Sequence, residues 1–224
     1  PAPVLIMAVA VFLSSFAAQA ATVTGFSDLV TRLQVGVPAD HEIKFVSPSG
    51  IGAPTDTVTL ALQSDYDLTA VDFNDIDLGF DSDATPGDCA GTFTEKTLAA
   101  TAGSSPVWGA AVSGQTLTLT PPTDAGVGEI PAGSCLRVRV GKNATFGAAS
   151  PSANHQIVNP TGAFFHTLTI GGGFGDTGVA QLLNNDSDQV VVTASVGGGG
   201  GAGGGGGPVA PTIMNVRSLN VTET

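Results

Sequence analysis

The chain has 224 residues, of which 31 are glycine, and 19 Asp plus Glu against 7 Lys plus Arg give a formal net charge of −12. That balance repels phosphate backbones and argues against nucleic-acid binding. The length suits one large or two small domains, and low charge with abundant Gly and Thr reads as a secreted all-β protein.

No charge precedes Asp28. The apolar run from Val4 to Leu13, followed by Ala18-Gln19-Ala20, fits a secretory signal with an A-x-A cleavage site, although no basic residue precedes it. The same residues also suit a retained helix, because Pro1 and Pro3 lie where a helix accepts proline. At 1.5 Å per residue the uncharged stretch would reach about 40 Å, enough to cross a bilayer. Its many alanines would let neighbouring helices approach closely, and this favours a retained packing helix over residues 1–34. Leu5, Ile6, Val9, Phe12, Leu13 and Phe16 are the apolar positions expected to drive assembly. The continuation from Ser27 to Leu33 could add helical turns or begin the first strand.

From about Val35 the period changes from helical to alternating. Glu42–Val46, Thr57–Leu62, Gln115–Thr120, Leu136–Val140, His166–Ile170 and Gln189–Val196 read as strands. Turn signals separate them, among them Ser47-Pro48-Ser49-Gly50, Pro121-Pro122 and Gly171-Gly172-Gly173. With weaker runs between, this predicts about seven to nine strands over 35–196 in two antiparallel sheets, a sandwich that is immunoglobulin-like in the loose sense. Trp108 and Phe45, Phe73, Phe80, Phe93, Phe164 and Phe165 are expected in its core.

The chemistry on offer is sparse. Cys89 and Cys135, the two cysteines of the chain, match no metal or redox spacing, so a single disulfide is expected on export. Eight aspartates fall between Asp65 and Asp88 with no Lys or Arg among them. Calcium takes six to eight oxygen ligands, and Asp72, Asp75, Asp77, Asp81 and Asp83 could supply several, although the EF-hand spacing is not met. A solvated acidic edge explains the same run without a metal, so calcium is the one cofactor considered and no other is expected. Gly173-Phe174-Gly175-Asp176-Thr177-Gly178 formally matches GxGxxG, but no full helix follows, and a glycine-rich loop is expected there. His41, His155 and His166 are far apart and no GxSxG elbow occurs, so catalysis is not expected. Asn143, Asn185 and Asn220 open N-x-[ST] sequons.

Gly197–Gly201, Ala202 and Gly203–Gly207 form a nearly pure glycine linker over 197–207. The tail over 208–224 could begin a further domain, or act as a donor strand for a neighbouring sheet.

An apolar N-terminal helix leading into a β-rich head resembles the pilin subunits of the type IV superfamily. Leu5 stands where many of them carry an acidic residue, which archaeal-type pilins often lack too. Pro211-Thr212-Ile213 and Val221-Thr222 resemble the opening strand of a fibronectin type III domain. The pilin resemblance implies an extracellular filament of identical subunits, held in the membrane before assembly. The alternative is a secreted or anchored surface binding protein whose residues 1–20 are a signal peptide or anchor.

Overall fold

A computed structural model describes residues 21–82, 89–124, 126, 129–146 and 155–185, together with the backbone of two short strands at 190–192 and 214–216. Twelve strands precede that last pair. They are β1 (Thr24–Val30), β2 (Pro38–Ala39), β3 (His41–Val46), β4 (Val58–Leu62), β5 (Ile76–Asp81) and β6 (Thr94–Ala99), followed by β7 (Val107–Ser113), β8 (Thr116–Thr120), β9 (Cys135–Val140), β10 (Ile157–Val158), β11 (Phe165–Gly171) and β12 (Gly178–Leu183).

Ten of them form one hydrogen-bonded sheet in the order β1-β3-β9-β5-β6-β7-β8-β4-β11-β12. Every pairing is antiparallel except β6 with β7. Strand β6 hands the sheet from one half to the other: Thr94 to Lys96 pair with β5, while Thr97 to Ala99 pair with β7. The outermost strands β1 and β12 lie side by side, with parallel bridges Thr22–Thr177 and Gln34–Asn185 flanking them, so the sheet nearly closes on itself. The expected pair of separate sheets is thus one sheet folded over its core. The short strands β2 and β10 pair with each other beside it.

The expected helix leading into the β region is corrected by these residues. Among the described residues there is no α-helix, and the helical turn at Phe73–Asp75 is of 3₁₀ type. The Ser27 to Leu33 stretch begins as strand, with Ser27 opposite Lys44 and Val30 opposite His41. β-branched Thr22, Val23 and Thr24 favour an extended chain. Gly25, at φ +60°, takes up the bulge that shifts the register between Thr24 and Ser27. Residues Leu5, Ile6, Val9, Phe12, Leu13 and Phe16 lie outside the described residues. Among the described residues no helix is long and apolar enough to cross a membrane.

Alternation builds the core. β4 and β8 read V-T-L-A-L and T-L-T-L-T, and in both the aliphatic residues are buried while the others face outward. Leu60, Leu78, Leu119, Leu136 and Leu168 meet Phe45 and Trp108 in one cluster. Phe73 and Phe80 pack against its margin, but Phe164 and Phe165, expected inside, are 71% and 65% exposed. Cys89 and Cys135 are bonded, S–S 1.99 Å, tying the segment before β6 to the start of β9. The glycine-rich GxGxxG segment is the turn between β11 and β12, where Asp176 accepts hydrogen bonds from the Ser47 and Ser49 hydroxyls. Beyond 185, Val190–Val192 pairs antiparallel with Met214–Val216, and the glycine run between them lies outside the described residues.

Candidate interaction surface

The two halves of the sheet present opposite chemistry to solvent. Every charged residue of the ten strands lies on β1, β3, β5, β6 or β9. The residues of four of these strands that face away from the core form two cross-strand rows, in which Asp77 and Gly79 are themselves covered. In one, Glu42, Arg139 and Asp77 are neighbours; in the other, Lys44, Arg137, Gly79 and Glu95. Glu42 joins Arg139 at 2.8 Å and Lys44 at 2.9 Å, and Arg137 pairs with Glu95 while stacking 4.2 Å above the Phe93 ring. Burial acts to raise the Glu42 carboxyl, but hydrogen bonds from Lys44 and Arg139 outweigh it and hold the group below the usual carboxylate range. Asp77 is moved the other way: burial pushes it up, and the Phe146 amide, 2.9 Å away, offsets this only partly. Burial also lowers Lys96, whose ammonium sits 4.4 Å above the Phe80 ring.

The other half carries no charge at all. Strands β4, β7, β8, β11 and β12 contain no Asp, Glu, Lys or Arg. Their registers align one outward residue from each strand: Ser113, Thr116, Ala61, Thr169 and Val179 run in a single row across all five. A second row holds Ala111, Thr118 and Thr59, and at the far end exposed Phe165 faces Leu183. The result is a hydroxyl-studded face with an apolar rim. The alternation of β4, β8 and β11 was readable in the sequence, while β7 and β12 were not; the signal that would have revealed the face is the absence of charge from all five.

Between the halves, beneath β1 and β12, lies a buried polar cluster. His41 Nδ1 and Asp28 Oδ2 are 2.7 Å apart with both side chains fully buried, and His41 Nε2 has no hydrogen-bond partner. Tyr66 donates to Asn184 Oδ1 at 2.8 Å and meets His41 and His166 edge to face. Burial, then the charges of Asp28 and Asp65, push the Tyr66 hydroxyl well above its ordinary value. His166 is 3.1 Å from Asp65. No serine, threonine or cysteine is bonded to either imidazole among the described residues, so the cluster lacks a nucleophile's geometry. The recess lined by Phe73, Ile76, Leu98 and Phe146 measures about 180 Å³, small against the roughly 300–1,000 Å³ of ligand pockets.

The aspartates considered for calcium go to separate tasks. Asp72 caps the 3₁₀ turn and Asp75 closes its capping box. Asp75 also accepts from the His155 amide at 2.6 Å, Asp77 accepts from Phe146, and Asp81 packs against Gly91. Asp83 lies outside the described residues. Among the described residues no three His, Cys, Asp or Glu side chains are grouped to hold a metal ion. Of the sequons, Asn143 turns its amide inward to the His41 carbonyl at 3.1 Å.

No protein-family description matches the chain, and neither does any curated protein. Among solved structures it is similar to the collagen-binding domain from a Staphylococcus aureus adhesin, at 9% identity, with 72% of this chain and 98% of that chain covered and a TM-score of 0.38. An overlap of that quality carries no functional argument.

Proposed function

We propose that this chain is a secreted or surface-anchored protein that works by contact through its β domain, adhesive or structural in role, and not by catalysis. The observation that carries this reading is the charge-free outer face built by five strands of a chain with a net charge of −12. Charged side chains are the usual means of keeping a surface wetted and solitary, and a whole half-sheet without them suits a contact surface. The Cys89–Cys135 bond supports an oxidising location. A filament subunit assembled through an N-terminal helix over 1–34 is the finer reading; residues 1–20 lie outside the described set, Thr24–Val30 is strand, and nothing among the described residues favours that reading over a signal or anchor.

Protease treatment of intact source cells, followed by mass spectrometry, tests the location. Peptides of this chain should be released from the cell surface or found in the medium, with Cys89 and Cys135 oxidised. Recovery only from the cytosol, with free thiols, would overturn the proposal.

A further inference from the structure

We infer that the charge-free face binds a second copy of this chain, outer face to outer face, about a twofold axis near Ala61. This rests on the proposed contact role and names its partner. Three observations point to self-association.

Hydroxyls both donate and accept hydrogen bonds, so a surface of Thr and Ser is complementary to itself. A charged partner would instead bring its charges onto a face that offers nothing to pair them. The row Ser113, Thr116, Ala61, Thr169, Val179 places a small residue at its centre, with hydroxyls on either side and an apolar residue at one end. Turned over about an axis through Ala61, Thr116 of one copy meets Thr169 of the other, in the manner of an isologous interface.

Charge decides where two copies can approach. The ten strands together hold five acidic and four basic residues, so nearly all of the −12 lies off the strands, and approach through the loops sets net negative surfaces against each other. The face of β4, β7, β8, β11 and β12 is where that local repulsion vanishes.

Size sets the strength. Five strands about 4.8 Å apart, each about 20 Å long, cover roughly 500 Å² per copy, or about 1,000 Å² for the pair. That is the lower bound of specific interfaces, so the dimer is weak and concentration-dependent.

Sedimentation of the full chain over a range of concentration and sodium chloride tests this. Association should appear at high concentration and strengthen with salt, because salt screens the overall repulsion while the interface has no ion pairs to lose. Ala61→Glu and Ala61→Lys should each weaken it about tenfold or more by placing like charges across the axis, and mixing the two variants should restore it. Thr169→Glu, at an exposed position, should weaken association without lowering the melting temperature. A chain that stays monomeric throughout, association that weakens with salt, or association indifferent to Ala61→Glu and Thr169→Glu would each overturn the inference. So would binding of a neutral polysaccharide to this face without self-association, an outcome that would leave the surface location and contact role standing.

Discussion

Reducing the Cys89–Cys135 bond in the native chain perturbs stability without removing a single side chain. The cysteines are 46 residues apart, and the loop they close contains β6, β7 and β8, including the strand that joins the two halves of the sheet. Chain-entropy loss in the unfolded state for a loop of that size corresponds to about 4 kcal/mol at 25 °C. For a protein of this size each kcal/mol moves the melting temperature by roughly 2–4 °C, so reduction should lower it by roughly 8–16 °C. Cys135 is fully buried and opposite Asp81 in the ladder, so the folded strands should keep their places once the bond is cut. The loss should therefore appear as a lower urea midpoint and an altered m-value, with the native near-ultraviolet circular dichroism retained below the transition. Matched urea titrations with and without reductant, with thiol counting to confirm cleavage, make the measurement. A difference below about 1 kcal/mol would show that the bond does not close a free loop in the unfolded chain, and the reasoning would fail.

Further outcomes follow from three named residues. Tyr66 is the single tyrosine of the chain, so its titration can be read directly by ultraviolet absorbance. Its folded value is raised, so the stability it contributes is full below the unfolded value of about 10 and is lost as pH rises above it. Tyrosinate absorbance should accordingly appear only together with unfolding, and tyrosinate in the intact fold near pH 10 would contradict the buried placement. Tyr66→Phe strands the buried Asn184 carbonyl and should cost about 1–3 kcal/mol by urea unfolding. Glu42 is held below its unfolded value, so its pairing with Lys44 and Arg139 stabilises above about pH 4.3 and is lost as pH falls through the lower folded value. Glu42→Gln should flatten the acid limb of the stability profile, and an unchanged slope would assign that limb to other groups. Gly172→Ala should cost more than about 1 kcal/mol, since φ there is +124° and a Cβ would lie 2.2 Å from the Thr57 carbonyl oxygen. A neutral result would mean the β11–β12 turn can relax away from Thr57.

The sequence was most legible where alternation coincided with aliphatic and β-branched residues. The runs around Ile43 and Phe45, Leu60, Leu117, Val138 and Leu168 became β3, β4, β8, β9 and β11 with their apolar sides inward. β5 was hidden by its own composition. Ile76-Asp77-Leu78-Gly79-Phe80-Asp81 alternates cleanly, but aspartate disfavours strands, and a dense run of carboxylates suggests a ligand loop. The cost of those carboxylates is partly offset by neighbours distant in sequence, such as the Phe146 amide and the guanidinium of Arg139 beside Asp77, which no local pattern reveals. β1 was obscured in another way. The stretch from Ser27 to Leu33 fits either helical turns or a strand, and what decides it lies outside the stretch: Asp28, which ends the uncharged run, is buried against His41, thirteen positions away. Phe164 and Phe165 misled in the opposite sense: hydrophobicity predicts burial, but Phe165 falls on the outward parity of β11, where His166, Leu168 and Ile170 face in.

The near closure of the sheet has a consequence for life at high local density. An open outermost strand is a template on which another extended chain can polymerise, and crowded β-proteins must blunt it. Here the first and last strands of the sheet flank each other, joined at one end by Thr22 and Thr177 and at the other by Gln34 and Asn185. An incoming strand must therefore part that seam before it can pair with either outer strand. At high concentration, strand-on-strand growth from the two outer strands is obstructed by the fold itself.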